Sequence, residues 1–299
     1  MKLDSESQMV DKQKFIKPEV GNLHSQDMQQ IRLTYITHFY FDQKSPDTLL
    51  DLLHKYESYS SSLLDQMHFV IVDDCSPLEF EIPEFKLNLT WLRITDDIRW
   101  NQGGARNLGA TYAKSDKILL SDLDLEFPEH TLQRMVDARN PGKHFYKIYR
   151  KDRETSAIRK GHPNTFFMSR GRFIRLYGYD EEFSGGYGAE DYRFVKFFKY
   201  HGSWQHHLPK RFYCHKRTEI NRDGAYHSLK RDFSRNTPID QRKRSELLEW
   251  GAEGGHSRMF LNFRWELKRQ FWRAKDVPKP RKRYWKHLWL FRTVFGSYD

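Results

Sequence analysis

The sequence predicts an α/β protein built on a mixed, mostly parallel β-sheet flanked by helices. Three observations carry that prediction. Apolar, β-branched runs of strand length recur at 31–40, 68–76, 89–95 and 117–127. Helical segments at 45–64 and 104–115 are interleaved with them, and two of the runs end in paired acids.

The first strand, "IRLTYITHFY" (31–40), gathers β-branched and aromatic residues. Ser45 is then placed as an N-cap and Pro46 as the first residue of a helix. Leu49, Leu50, Leu53 and Tyr56 share one face of it. "HFVIVDDCS" (68–76) reads as a buried strand ending in Asp73 and Asp74, and "LTWLRIT" (89–95) as another strand. "GARNLGATYAKS" (104–115) is a helix of small residues, and "KILLSDLDLEF" (117–127) a fourth strand. Strands alternating with helices make right-handed βαβ units, whose ligands bind beyond the carboxyl ends of the strands. That rule puts Asp73, Asp74, Asp122 and Asp124 on one rim of the sheet.

Bulk properties narrow the partners. Lys and Arg outnumber Asp and Glu by 51 to 40, a net charge of +11, which favours anionic ligands or surfaces. Cys75 and Cys214 are the two cysteines, too few for a disulfide framework or a cysteine-based zinc site. The first residues have no apolar core of signal-peptide length, and no apolar window approaches about 18 residues. A cytosolic, reducing compartment is therefore expected.

Asp122 and Asp124, two apart on an extended segment, point to the same face. Close carboxylates repel unless a cation lies between them, and hard oxygen ligands suit Mg²⁺ or Mn²⁺ shared with phosphates. Taken alone, an Asp-x-Asp is also a common turn. Asp73 and Asp74 can accept hydrogen bonds from a nucleobase or ribose, or serve as turn acids. "NQGGARNLGA" (101–110) puts Arg106 and Asn107 in the first turn of a helix after Gly103 and Gly104, a setting for diphosphate. In "YGYDEEFSGGYGAEDYRFVKFF" (177–198) a glycine-rich loop leads into Glu190 and Asp191. Such acids favour a helix start through its dipole, or act as general base and hydroxyl acceptor beneath a mobile lid. His215 is a candidate third metal ligand, with His227 competing for that role.

In order, these segments resemble the family-2-type glycosyltransferases of the GT-A fold, from about Thr34 to His215. The last segment also looks like the Gly-rich, Glu-Asp region of galactosyl- and N-acetylgalactosaminyl-transferases. The resemblance implies a nucleotide-diphosphate sugar donor, UDP favoured, a divalent metal, and a glycan or lipid-linked acceptor. It implies donor contacts from Thr37, His38, Tyr40, Asp73, Asp74, Gly104, Arg106, Asn107, Asp122 and Gly186. By the same analogy Asp122, Asp124 and His215 hold the metal, Asp191 is the catalytic base and Glu190 grips a sugar hydroxyl. Two departures stand out: Thr37-His38 occupies a place where many relatives have Pro, and Cys75 one where Gly is frequent.

The implied organisation is a polar lead-in (1–30), a GT-A domain (31–238) and a basic, aromatic, helical C-terminal extension (239–299). The domain divides into a nucleotide-sugar half (31–125) and an acceptor half (126–238). In "RKRYWKHLWLFRTVF" (281–295) basic residues flank tryptophans, a pattern suited to peripheral attachment at an anionic cytoplasmic membrane face. Two rivals follow from other features. A sugar-nucleotide nucleotidyltransferase needs a glycine-rich phosphate loop after the first strand, where "THFYFDQKSPD" has no glycine. A nucleic-acid binder would use the basic tail, but no zinc, RRM or KH signature accompanies it, so no nucleic-acid partner is expected.

Overall fold

The computed structural model describes residues 30–42, 45–217, 220 and 229–273. The lead-in up to residue 29, His227 and the 281–295 segment lie outside the described residues.

In chain order the elements begin β1 (Leu33–Phe39), α1 (Asp47–Glu57), α2 (Ser61–Leu64), β2 (Met67–Asp74), β3 (Leu89–Ile94), α3 (Gln102–Tyr112) and β4 (Lys117–Ser121). Next come β5 (Leu125–Glu126), α4 (Glu129–Asp137), β6 (His144–Lys147), β7 (Tyr149–Lys151), β8 (Ile158–Arg159) and β9 (Phe166–Ser169). The rest are α5 (Arg170–Arg175), α6 (Glu190–Tyr200), β10 (Trp204–His207), β11 (Tyr213–Lys216), α7 (Asn236–Trp250) and β12 (Trp265–Phe271).

The main sheet has the order β10-β6-β9-β4-β1-β2-β3-β12. Its centre, β4-β1-β2-β3, is parallel, while β9 joins β4 and β12 joins β3 in antiparallel sense. β1 and β2 are buried on both faces, which explains their continuous apolar runs. Leu49, Leu53, Leu63 and Leu132 from α1, α2 and α4 cover one face. Leu108, Phe173, Phe194 and Phe198 from α3, α5 and α6 cover the other. Helix α3 lies so close to β1 that a Cβ at Gly109 would collide with Ile36. A second, smaller sheet, β5-β11-β7-β8, flanks the first.

Three details differ from the sequence reading. Pro46 is the N-cap of α1 rather than its first residue, and Ser45 Oγ accepts from the Asp47 amide at 3.2 Å. The expected fourth strand breaks at Asp122–Asp124, where the Leu125 amide reaches back to the Asp122 carbonyl and turns the chain. The described part of the anticipated helical extension, up to residue 273, is divided between helix and strand. The expected boundary after residue 238 falls inside α7, and β12 is a strand because the open edge of β3 offers it a backbone ladder. Lys243 of α7 is buried against Asp180 (2.7 Å) and Glu182 (2.6 Å), and Arg193 of α6 pairs with Asp240. This part of the chain is thus packed onto the domain. Among the described residues no helix is long and apolar enough to cross a membrane.

Candidate active site

Strand order reverses at β1: the next strands run outward through β2 and β3, and β4 returns to the other side of β1, still parallel to it. A crevice opens at the carboxyl ends of strands at such a point. A cavity of about 310 Å³ lies there, and His38, Tyr40, Asp122, Asp124, Glu190 and Asp191 line it. A second cavity of about 180 Å³ shares Tyr40 and Trp100 with it and is reached by Asp74.

Arg106 organises the floor. It projects from α3, is 1% exposed, and donates to Asp122 Oδ1 at 2.5 Å and to Asp191 Oδ1 at 3.4 Å. Its guanidinium also lies over the Tyr179 ring, 5.1 Å from the centroid. Burial opposes its charge, yet Tyr179, Asp122 and Asp191 hold its pKa above the ordinary value. Burial alone would raise the Asp122 carboxyl, but Arg106 and His162 hold it well below the usual carboxylate range. His162 Nδ1 meets Asp122 Oδ2 at 2.9 Å, and that contact outweighs burial and raises the imidazole pKa. His38 is the opposite case: burial, and then the Arg106 charge, lower it to about 3, so its ring is neutral at ordinary pH.

The two acids that start α6 are both pushed up. Burial and then the Asp191 charge raise Glu190 from 4.5 to about 7. Burial raises Asp191 as well, with Arg106 acting against it. The residue before them, Ala189, has φ +77, and Trp100 in the cavity wall has φ +56. Non-glycine residues in that region carry strain of roughly 1–3 kcal/mol each, held here beside the cavity.

Glu190 gives a pH-dependent stability. Its folded pKa lies above its unfolded one, so the folded chain holds that proton more tightly. The benefit is complete below about 4.5 and is lost as pH rises through about 7. Glu190→Gln should therefore raise the thermal midpoint at pH 8 more than at pH 5, with a differential of up to about 3 kcal/mol. Equal shifts at both pH values would refute the buried, proton-holding state of Glu190.

Other expected site residues lie elsewhere. Asp73 is not at the cavity: it accepts from Arg93 Nη1 at 2.8 Å and from the Ser76 amide at 2.8 Å. Successive strand residues face opposite ways, and only Asp74 is directed to the ligand side, where it accepts from Asn101 Nδ2 at 3.2 Å. Thr37 is buried within β1 between Ile71 and Ser121. Gly104 is a packing glycine, since a Cβ there would meet Asn101 and Phe263. Asn107 holds the Tyr179 backbone and Glu181 through 2.8 Å bonds. Gly186 packs under Arg235 and Asn236, so the glycine-rich loop is fastened by the start of α7, with Asn236 donating to the Gly188 carbonyl at 2.8 Å.

His215 is not brought to the carboxylates. Its Nδ1 bonds the Lys151 carbonyl at 2.8 Å, and it lines a separate groove with Glu126, Glu129 and Arg153. The pairing of β11 with β5 sets His215 opposite Glu126. The histidine that does meet Asp122 is His162, and sequence reasoning missed it together with Asn164. β9 runs antiparallel to β4, with Phe166 opposite Leu120. Continuing that register brings the segment before Phe166 alongside the segment after Leu120. The signal in sequence was "GHPN", polar residues around a proline just ahead of an apolar strand.

Among the described residues no group of three or more His, Cys, Asp or Glu is placed to hold a divalent cation. Asp122 spends both oxygens on Arg106 and His162, and Asp124 lines the same cavity. This set does not form an all-protein cage. It fits the Mg²⁺ or Mn²⁺ pattern of one or two carboxylates completed by waters and substrate phosphates.

The family model described as Glycosyl transferase family 2 matches residues 42–199. No curated protein matches the chain. Among solved structures it is similar to S. aureus TarS 1-349 in complex with UDP-GlcNAc, at 14% identity and a TM-score of 0.49, covering 68% of this chain and 62% of that one. It is similar to the mannosyltransferase PcManGT from Pyrobaculum calidifontis in complex with GDP-Man and Mn²⁺, at 18% identity and 0.47, covering 68% and 61%. A mutant Drosophila β-1,4-galactosyltransferase 7 with manganese, UDP-Gal and xylobiose shows 13% identity and 0.36, covering 67% and 72%. The chain spans less than two thirds of the TarS and mannosyltransferase chains.

Proposed function

Because the chain belongs to glycosyl transferase family 2, we propose that it moves a sugar from a nucleoside diphosphate, UDP favoured, to a hydroxyl of a glycan or lipid-linked saccharide. The observation that carries this reading is the linkage at one cavity. Buried Arg106 bridges Asp122, on the side expected to take the donor, to Asp191, on the side expected to take the acceptor.

Asp191 removes the proton from the acceptor hydroxyl as its oxygen forms a bond to the anomeric carbon. The bond from that carbon to the diphosphate oxygen breaks on the opposite face, and the configuration inverts. No second carboxylate is assigned as nucleophile. Glu190, held protonated up to about pH 7, donates to or accepts from a sugar hydroxyl. Arg106 and His162 place positive charge beside the diphosphate, and Asp74 and Tyr40 in the adjoining cavity take the ribose and base. Asp124, with Asp122, would hold a divalent cation, which supplies charge neutralisation to the departing diphosphate when bound.

The acceptor class accords with attachment of segment 281–295 to an anionic bilayer, a proposal that rests on sequence alone. Cosedimentation of the full chain with anionic vesicles should be strong in low salt and weak in high salt. Binding indifferent to salt would exclude it. For the reaction itself, a panel of UDP- and GDP-sugars with Mn²⁺ should release nucleoside diphosphate for at least one donor, and EDTA should suppress it. Pyrophosphate release instead would mean nucleotidyl transfer.

A further inference from the structure

One amide in the cavity wall has its bonding half complete. Asn164 is 8% exposed and lines the cavity beside Glu190 and Asp191. Its side chain hydrogen-bonds the Asp191 carboxylate. An ionised carboxylate only accepts, so Nδ2 is the donor and Oδ1 is turned away from Asp191. That Oδ1 is a buried acceptor with no hydrogen-bond partner among the described residues. Leaving such an atom unpaired costs about 1–3 kcal/mol, which a ligand hydroxyl would offset.

We propose that Asn164 is a positioning residue that orients Asp191 through Nδ2 and receives a hydroxyl of the acceptor sugar on Oδ1. The inference deepens the glycosyl-transfer reading and rests on it. Asn164 and Asp191 are neighbours in one cavity wall, so a saccharide with one hydroxyl on Asp191 can place an adjacent hydroxyl on Oδ1. One hydroxyl then meets Asp191 as the nucleophile while its neighbour donates to Oδ1. The acceptor class is a saccharide with a free hydroxyl next to the one glycosylated. Of the other groups facing Asp191, Arg106, Asp122 and His162 are committed to one another, while Glu190, whose Oε2 is also a buried atom without a hydrogen-bond partner among the described residues, is assigned to another sugar hydroxyl.

The orienting role can be tested without substrate, by carbon-13 NMR titration of the Asp191 carboxyl in the full chain, assigned with Asp191→Asn. Asn164→Ala removes a donor to the ionised form and should raise the Asp191 midpoint by about half a unit to one unit. Asn164→Ser keeps a hydroxyl donor and should recover part of that shift. Should the alanine variant not fold, the near-isosteric Asn164→Leu takes its place. An unchanged midpoint overturns the proposal. The hydroxyl contact is read with methyl glycosides of glucose, galactose and N-acetylglucosamine and their monodeoxy derivatives. In the wild type, deleting the hydroxyl adjacent to the glycosylated one should lower kcat/KM about tenfold. In Asn164→Ala the same deletion should cost about twofold or less. Equal losses in both proteins, or transfer to none of these glycosides, overturn the contact. No donor cleavage by the wild type with any nucleotide sugar counts against glycosyl transfer itself, while the titration still decides the orienting role.

Discussion

Asp191→Asn lowers turnover by roughly two orders of magnitude or more while nucleotide-sugar binding persists. The substitution keeps the shape of the side chain and removes its ability to take a proton. Arg106 keeps its 2.5 Å partner Asp122, so the buried guanidinium is not abandoned when the second carboxylate loses its charge. Burial already holds Asp191 above the ordinary carboxyl pKa, which makes it a stronger base than a solvated aspartate. The measurement is donor affinity by calorimetry set beside kcat for transfer. If donor affinity collapses and bound substrate still turns over, Asp191 is a binding residue and the assignment of the base is wrong.

Much of this was legible before the fold was known, and the reason is local. Continuous apolar runs marked β1, β2, β3 and β4 because these strands are buried on both faces, or nearly so. The strand-end rule then brought Asp122, Asp124 and Asp74 to the crevice without any tertiary information. Where the reading failed, the deciding contact lies far along the chain. Asp73 and Asp74 look equivalent in sequence, and they divide because Arg93 of β3 claims the first. His162 and Asn164 reach the site only through the antiparallel return of β9 beside β4, which no periodicity announces. His215 was favoured for its place after the carboxylates, yet its strand belongs to the smaller sheet. Gly104 and Asn107 sit in the expected helix but face its packing side, where small size and amide bonding serve Phe263 and Tyr179.

The same division separates the two acids after β4. Asp122 is already balanced by Arg106 and His162 on its two oxygens, so its charge is largely spent within the protein. Asp124 lines the same cavity, and it sits on a turn rather than a strand. A cation brought in with the diphosphate should therefore depend on Asp124 more than on Asp122. Asp124→Ala is expected to reduce transfer by about three orders of magnitude and to abolish the strengthening of nucleotide binding by Mn²⁺. Asp122→Ala should instead retain part of the Mn²⁺ effect. It should also free Arg106 for Asp191, lowering the pKa of the base and slowing turnover by a separate route. Nucleotide binding is to be titrated with and without Mn²⁺ for both variants. Wild-type activity persisting in EDTA, or a Mn²⁺ effect that survives in Asp124→Ala and vanishes in Asp122→Ala, would reverse the assignment.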